Sequence, residues 1–258
     1  MEGITCRLLP FTVADGPHNM AADEALLDSA LEGTASLRFY GWSPPTLSLG
    51  YFQPESLRAA DPLLAALPFV RRPSGGDMLV HDHEVTYSLA LPPGPPWQTR
   101  AESWLNRMHS IIAAALLTVG VPARLHALRS SFDAGTRAAR TKQQLKSGPL
   151  CFNHFTGGDV IADDAKIVGS AQRRRRGALL QHGAILLARS PHTPTLPGIR
   201  ELTRHTLTAD EITTAVCQEF VRQTNWQLVV DDWTECERER ARELTSAKYT
   251  QVGWNRRR

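Results

Sequence analysis

The segment Lys166-Ile167-Val168-Gly169-Ser170-Ala171-Gln172 carries the most information in this chain of 258 residues. Its apolar run predicts a strand, joined through Asp163-Asp164 to another strand at Asp159 to Ala162. A basic turn, Arg173 to Gly177, then leads to a further predicted strand at Ala178 to Leu187. The small residues that follow Lys166 would let a ligand or another backbone segment come close to the lysine.

Helical patterns lie on both sides of these strands. Asn19 predicts the N-cap of one helix, and the capping boxes Thr99-x-x-Glu102 and Thr208-x-x-Glu211 predict the starts of two more. Residues 126–148 are polar and predict a mobile surface loop or a short solvated helix. Helices and strands share every third of the chain without a long linker, so we expect one α/β domain over residues 1–258. One further strand is predicted from four apolar residues on one face, namely Val85, Tyr87, Leu89 and Leu91.

The composition, 42% hydrophobic and 21% charged, is ordinary for a soluble globular protein. There is no apolar run near the roughly 20 residues that span a bilayer and no secretory signal pattern, so we expect a cytoplasmic protein that does not bind membranes. The four cysteines show neither CxxC spacing nor a finger-like Cys/His cluster, which favours reduced thiols over a disulfide framework or a zinc site. We expect Cys6, Cys217 and Cys236 to be small buried apolar residues.

The net charge of +3 is distributed unevenly. Arg173 to Arg176 form one basic block and Arg256 to Arg258 another. Such blocks are usually solvated turns or tails. They lack the interleaved aromatic residues of a single-strand binder, so we expect no nucleic-acid binding, whereas an acidic protein partner fits them well.

Cys151 and Lys166 suggest acyl transfer through a thioester. A lone cysteine is most often a small buried residue, but Cys151 lies where a polar loop meets a new element, a typical place for a catalytic side chain. Lys166 could be an exposed turn residue paired with Asp163-Asp164. Close to a thioester, its ammonium could instead favour the thiolate and stabilise charge on the reacting oxygen.

The stretch Arg71-Arg72-Pro73-Ser74-Gly75-Gly76 offers guanidinium groups and bare backbone N–H donors, which suit a carboxylate, a phosphate or an oxyanion. It lacks the spacing of a P-loop, and a hairpin turn with surface arginines is an equally good interpretation. For His81, His83 and Glu84 we prefer structural or pocket-wall roles to a metal site. His182 is either a pocket residue or a satisfied strand histidine.

These motifs, in order, resemble the lipoate–protein ligase A / octanoyltransferase family. The matching stretches are Arg71 to Gly76, His81 with Val85 to Ser88, Lys166 to Gln172, and Leu180 to Gly183, with Trp254-Asn255 near the end. The resemblance covers about residues 18 to 190 and implies a mixed, largely antiparallel α+β fold with packed helices, shared with biotin–protein ligases. It also implies transfer of lipoyl or octanoyl groups to a lysine of a carrier domain.

Two branches of the family differ in their chemistry. Ligases use Mg-ATP to form an acyl-adenylate and commonly need an accessory C-terminal domain, for which we expect this chain to be too short. Octanoyltransferases take the acyl group from acyl carrier protein through a cysteine thioester. Cys151-Phe152 resembles the nucleophile position of the Gram-positive-type octanoyltransferase, so the resemblance favours a transferase.

The transferase hypothesis assigns catalysis to Cys151 and Lys166 and expects no metal or bound organic cofactor. Its donor would be acyl carrier protein, docked on a basic surface that includes Arg173 to Arg176, and its acceptor a lipoyl-domain protein or glycine-cleavage H protein. An ATP-dependent ligase with a separate accessory chain, and a non-catalytic carrier-binding homologue, are the alternatives. The expected substrate-binding residues are Arg71, Arg72, Ser74, Gly75, Gly76, His81, Gly169, Ser170, Ala171 and His182.

The sequence departs from the family pattern at two places. Asp77-Met78-Leu79 follows Ser-Gly-Gly where a small or basic residue and then Ala-Val are usual. Gly157-Gly158-Asp159 replaces a bulky residue before the aspartate. Both departures could alter the acyl or carrier preference.

Overall fold

In the part of the chain that the structure describes, a nine-stranded mixed sheet forms the centre of the fold. The computed structural model describes residues 3–98, 103–126 and 150–257. The strands are Thr5–Leu8 (β1), Thr12–Ala14 (β2), Ser36–Trp42 (β3), Thr46–Leu49 (β4), Phe69–Arg71 (β5), Leu79–His81 (β6), Glu84–Leu91 (β7), Ala123–Leu125 (β8), Val160–Ala162 (β9), Ala165–Arg175 (β10), Ala178–Leu186 (β11) and Gln227–Val230 (β12).

The strand order in the large sheet is β12-β1-β3-β7-β11-β10-β9-β8, with β2 paired to β3. The pairs from β3 through β7, β11, β10 and β9 to β8 are antiparallel, whereas β12, β1 and β2 add in parallel. A second, three-stranded sheet has the order β5-β4-β6 and combines one parallel with one antiparallel pair. The expected mixed, largely antiparallel α+β fold is confirmed.

Helices cover both faces of the large sheet. They are Gly16–Leu31 (α1), Ser56–Ala59 (α2), Pro62–Ala65 (α3), Trp104–Thr118 (α4), Ile199–Thr203 (α5), Ala209–Thr224 (α6), Glu235–Leu244 (α7) and Val252–Asn255 (α8), with a 3₁₀ turn at Cys151–Asn153 and a π-helical turn at Thr245–Tyr249. Within the described ranges, none of these helices is long and apolar enough to cross a bilayer.

The period-two pattern of β7 separates the two faces of the sheet. Val85, Tyr87, Leu89 and Leu91 point into the main core, where they join apolar residues of α4 and α6. On the opposite face, α1 packs over the sheet, and α7 and the π-helical turn pack against α1. Both the shared face of β7 and the capping box at Thr208 are confirmed.

Three predicted boundaries differ from the structure. Helix α1 begins at Gly16, because the Asp15 carboxylate accepts the His18 N–H and Pro17 suits the first turn. Asn19 is therefore not the N-cap. It is buried inside the helix and donates to the carbonyls of Ala14 and Gly41.

The basic stretch predicted as a turn is mostly strand. Pairing between β10 and β11 continues to Arg175↔Ala178, so the turn contains only Arg176 and Gly177, both with positive φ. A two-residue hairpin turn with this geometry follows the twist of the strands it joins. The third difference is β4. The alternation of residues 46–51 predicts a strand that reaches Tyr51, whereas the strand ends at Leu49.

Two predictions fall on parts of the chain outside the described residues. The capping box at residues 99 and 102 lies there, and the described α4 begins at Trp104 with Ser103 as its N-cap. The loop predicted for residues 126–148 is also outside, except for its first residue. The expectation of a single domain over residues 1–258 stays a prediction.

Candidate active site

A cavity lies between the α1-side face of the large sheet and the small sheet. The empty space here, counted together with the open solvent at the mouth, is about 480 Å³. The residues that line it are Met20, Tyr40, Trp42, Ser48, Arg72, Gly76, Asp77, Leu79, His81, Thr86, Cys151, Phe152, Gly169, Ser170, Ala171, His182, Gly183 and Ala184. Most of the lining surface is carbon, which suits an apolar chain better than a charged ligand.

Cys151 reaches this cavity because its backbone is tied to the segment after the Gly-Gly turn. The Cys151 N–H donates to the carbonyl of Met78 at 2.9 Å, and Leu150 forms a parallel bridge with Met78. Residues more than 70 positions apart in the sequence are thereby joined. The half-buried thiol of Cys151 consequently lies beside Gly76 and Asp77 in the cavity lining.

Lys166 lies next to this thiol. Its Nζ is 3.7 Å from Cys151 Sγ and 3.4 Å from the carbonyl oxygens of Cys151 and His154. The side chain is buried, and its Nζ also forms an ion pair at 2.9 Å with Asp159 Oδ2. A bulge in β10 between Lys166 and Val168 changes the register at this position. The arrangement places the ammonium group of Lys166 beside the sulfur of Cys151.

Asp159 is the residue that the sequence reasoning missed at this position. Asp163 and Asp164, the partners considered for Lys166, are both exposed. Asp159 is buried, and its Oδ2 accepts hydrogen bonds from the Thr156 N–H at 2.7 Å and the Thr156 hydroxyl at 2.9 Å. The unusual Gly157-Gly158-Asp159 turn was the available sequence signal.

Several predicted binding residues line the same cavity. They are Arg72, Gly76, His81, Gly169, Ser170, Ala171 and His182. The buried Arg72 guanidinium donates to the carbonyls of Ser48, Gly75 and Asp77. Burial lowers the pKa of Arg72, and the charges of Cys151 and Asp77 act in the opposite direction. Arg72 therefore contributes positive charge to the side of the cavity that carries Cys151.

His81 is fixed on three sides. Its Nδ1 lies 2.6 Å from Glu84 Oε1, its Nε2 lies 2.8 Å from Ser48 Oγ, and its ring stacks on Trp42 with 3.8 Å between the centroids. His83, by contrast, is exposed beside Asp82. Across residues 3–98, 103–126 and 150–257, no three His, Cys, Asp or Glu side chains come together as a metal site requires.

His182 belongs to a buried chain of three side chains. Its Nδ1 lies 2.8 Å from Asp23 Oδ2, and its Nε2 lies 2.5 Å from Ser74 Oγ. Burial alone would raise the pKa of Asp23, but the hydrogen bond from His182 and the charge of Arg38 outweigh it, so this pKa lies below its ordinary value. Because an ionised carboxylate only accepts, Nδ1 of His182 donates to Asp23.

Arg71 and Gly75 occupy different surroundings from the cavity lining. The buried Arg71 guanidinium donates to the carbonyls of Asn255, Gly50 and Gln53. It thereby ties α8 to the end of β4, and this geometry favours a structural role. Gly75 accepts from Arg72 through its carbonyl.

The structure also shows Cys6 buried, Cys217 half-buried and Cys236 exposed, so the expectation of burial is wrong for Cys236.

A second polar chain connects the cavity to α4. The Tyr87 hydroxyl lies 2.7 Å from Ser170 Oγ, which lies 2.6 Å from His109 Nε2. His109 Nδ1 is 2.6 Å from the Gly158 carbonyl, which can only accept, so Nδ1 carries the proton. Burial lowers the pKa of His109, which keeps this ring neutral. No motif of the sequence pointed to His109, which lies inside α4.

Comparison with solved structures defines the class of the protein. Lipoate–protein ligase A, solved as a crystal structure bound with ATP, is 25% identical, covers 99% of each chain and has a TM-score of 0.76. A bi-partite lipoate protein ligase from Thermoplasma acidophilum shares the fold, at 21% identity over 99% of this chain and 97% of that chain, with a TM-score of 0.73. The fold is thus that of lipoate–protein ligase catalytic domains.

The sequence comparisons identify the family. Residues 15–193 match the Lipoyl protein ligase A/B catalytic domain. Octanoyltransferase LipM from Moorella thermoacetica is 34% identical over 100% of both chains. LipM from Kyrpidia tusciae is 32% identical over 97% of this chain and 98% of its own length, and LipM from Geobacillus kaustophilus is 33% identical over 92% of each. The chain belongs to the lipoyl protein ligase A/B catalytic domain family, and the resemblance noted in its motifs is confirmed.

Proposed function

We infer that the protein is an acyltransferase that moves octanoyl groups in protein lipoylation. The relatives that match nearly its whole length are octanoyltransferases. The single observation that carries the mechanism is the 3.7 Å contact between Cys151 Sγ and Lys166 Nζ at the cavity. A thiol beside a buried cation, next to space for an apolar chain, suits covalent acyl transfer.

The first step is acylation of Cys151. The octanoyl chain lies along the apolar lining formed by Met20, Trp42 and Phe152. The Cys151 thiolate attacks the carbonyl carbon of the donor thioester, a new C–S bond forms, and the donor thiolate leaves and takes up a proton. Lys166 donates to the oxyanion that develops, together with backbone N–H groups near Gly75-Gly76.

The second step is deacylation by a lysine of the acceptor domain. The neutral amine attacks the carbonyl of the acyl-enzyme, a C–N bond forms, and the Cys151 thiolate leaves. The amine loses one proton to solvent in this step, which balances the proton that the donor thiolate takes up in the first step. Because Lys166 remains paired with Asp159 throughout, its charge stays next to the sulfur that is released.

The proposal identifies both partners by the chemistry of transfer. We propose acyl carrier protein as the donor and a lipoyl-domain protein or glycine-cleavage H protein as the acceptor, acting in the cytoplasm, where Cys151 is kept reduced. The route needs no metal or bound organic cofactor. The relatives' activity and the donor set around Cys151 support this route over the ATP-dependent one.

Intact mass tests the acylation step directly. After incubation with octanoyl-acyl carrier protein and no ATP, we expect an octanoyl adduct that is released by added thiol and maps to Cys151. Cys151→Ala should form no adduct and should lose at least about 10³-fold in transfer rate, because the covalent route is gone. Cys217→Ala, at a half-buried thiol elsewhere, is the matched control and should react normally.

The ligase alternative is tested in the same assay. Free octanoate or lipoate with Mg-ATP replaces the acyl carrier protein. An unmodified Cys151 in the first assay, followed by acyl-adenylate formation in the second, would move the protein to the ligase branch.

A further inference from the structure

The two basic blocks of the sequence meet at one aromatic ring. Arg257 Cζ lies 3.8 Å from the centroid of the Tyr51 ring and 4.4 Å from that of Trp254. Arg173 Cζ, from the other block, lies 5.7 Å from the same Tyr51 ring. Tyr51 also packs edge-on against Phe52, at 4.8 Å between centroids. We call Tyr51, Phe52, Arg173 and Arg257 the rim surface.

The rim surface borders the mouth of the cavity. Arg173 lies on the same face of β10 as Gly169 and Ala171, which line the cavity, because alternate residues of a strand share a face. It is two residues beyond Ala171, or about 7 Å along the strand. On the other side, Phe52 lies 3.9 Å from where a Cβ on Gly75 would stand, one residue before Gly76 of the lining.

Phe52 gives this surface an apolar contact point. Phe52 is 66% exposed, and among the large apolar residues in the described part of the chain only Val230 and Val252 are more exposed. An exposed aromatic ring next to a tyrosine that contacts two guanidinium groups is typical of the anchor positions of protein interfaces. The feature therefore favours a protein partner over a small anion.

The charges on the rim surface are not neutralised within the described structure. Neighbouring Arg175 and Lys248 form ion pairs with Glu24, and Arg175 pairs also with Asp28. Arg173 and Arg257 stack on Tyr51 and have no carboxylate within ion-pair distance among the described residues. Stacking on an aromatic ring holds a guanidinium in place without neutralising it.

Local electrostatics show that positive charge accumulates here. Burial lowers the pKa of Lys248. The hydrogen bond and charge of Glu24 oppose this effect, and the charges of Arg175 and Arg173 add to it. A carboxylate-rich partner would relieve this repulsion on binding, and long-range attraction would speed its approach.

We propose that the rim surface docks the acidic carrier protein that donates the octanoyl thioester. The inference rests on the proposed function and names the surface that its first step uses. With the acyl chain in the cavity and the thioester at Cys151, the rest of the donor leaves past Gly76, where Phe52, Arg173 and Arg257 contact the carboxylate-bearing face of the carrier.

The test separates the carrier from its thioester. Acylation of Cys151 is measured with octanoyl-acyl carrier protein and with octanoyl-pantetheine, which carries neither protein nor phosphate. For the full-length Arg173→Gln/Arg257→Gln double variant, we expect KM for the carrier to rise about three- to tenfold with kcat within twofold, as for charges at the rim of an interface. Its salt dependence should be weaker, and its rate with octanoyl-pantetheine should equal that of the wild type.

Arg222→Gln is the matched control. It removes one positive charge from α6, on the opposite face of the large sheet, where Arg222 is paired with Glu219. The carrier KM of this control should stay within twofold of the wild-type value. A similar rise in the control would show a general effect of net charge and would overturn the docking surface.

The remaining outcomes are equally decisive. An unchanged carrier KM in the double variant, or an equal loss with octanoyl-pantetheine, would overturn the proposal. An equal loss of acylation rate with octanoyl-CoA and with the carrier would show recognition of phosphate and would also overturn it. A loss of rate confined to deacylation would assign the surface to the acceptor instead. The wild-type reaction is measured first: failure to form any acyl-enzyme there counts against the proposed function, whereas a normal wild-type reaction with unaffected variants counts against the rim surface alone.

Discussion

Lys166 has three kinds of partner at once, and its ion pair with Asp159 is the one that fixes its position. The pair is buried on both sides, with 4% of each side chain exposed. Asp159 is itself held by two hydrogen bonds from Thr156, so the ion pair keeps the ammonium group of Lys166 in a fixed position. The carboxylate therefore orients Lys166 toward Cys151, and it also balances a charge that would otherwise be unpaired in the interior.

Asp159→Asn tests this positioning role. We expect the rate of Cys151 acylation to fall about tenfold or more and stability to fall by about 3 kcal/mol, because a buried ammonium is left without its counter-charge. Both quantities are measured, the rate by intact mass after timed quenching and the stability by urea unfolding. The control is Asp164→Asn, at an exposed position in the next turn. Equal acylation rates in both variants would show that Asp159 does not position Lys166.

At the scale of single elements, β10 carries both residues that line the cavity and Lys166, the lysine of the proposed mechanism. Its alternate residues Gly169 and Ala171 face the cavity, while Ser170 reaches the hydrogen-bond chain to His109. A Cβ on Gly169 would lie 2.6 Å from Lys166 Cε and 3.1 Å from its Nζ. The small residue after the bulge thus makes room for the lysine of the same strand.

Gly169→Ala should therefore displace Lys166. We expect acylation of Cys151 to slow about tenfold, with a loss of stability of about 1–3 kcal/mol from overpacking. The comparison variant is Gly253→Ala in α8, where no atom lies within 4 Å of the added Cβ. Full acylation activity in Gly169→Ala would mean that the strand adjusts and that the glycine is not required at this position.

The helices and strands could be predicted because alternation and capping depend on residues that are close together in the sequence. Alternation placed β7, the turn signal before Ala178 placed β11, and capping placed α6. The dispersed motifs predicted that Cys151 and Lys166 belong to one site. What the sequence could not show were pairings between distant segments. The bridge from Met78 to Leu150, the choice of Asp159 over nearer carboxylates, and the contact of Arg71 with Asn255 all depend on register and burial.

At the scale of the whole molecule, His109 couples the helical layer to the cavity and makes stability depend on pH. Burial lowers the pKa of His109, so between the ordinary histidine value of about 6.5 and this lower value the unfolded chain binds more protons than the folded one. Stability therefore rises with pH in this window and is lost as pH falls through it. A single such group contributes at most about 1.4 kcal/mol per pH unit.

Carboxylates govern a second window at lower pH. Burial alone would raise the pKa of Glu237, but hydrogen bonds from Arg7, Thr234 and Ser29 outweigh it and lower this pKa. The pKa of Asp23 is lowered in the same sense by His182 and Arg38 against the effect of burial. Their contribution is complete above about pH 5 and declines as pH falls below the ordinary carboxylate values of about 4.

The two windows predict a stability curve with two descents, and a variant separates them. Urea unfolding between pH 8 and pH 3 should show a first loss of stability below about pH 6.5 and a steeper one below about pH 4.5. His109→Gln should be less stable at pH 8 and lose its share of the first descent, while it keeps the second. His205→Gln, at an exposed histidine, should retain the wild-type curve. If the stability of His109→Gln declines between pH 6.5 and pH 5 as steeply as that of the wild type, then protonation of other groups causes the first descent. The buried hydrogen-bond chain from α4 to Ser170 is then not what makes the fold sensitive to mild acid.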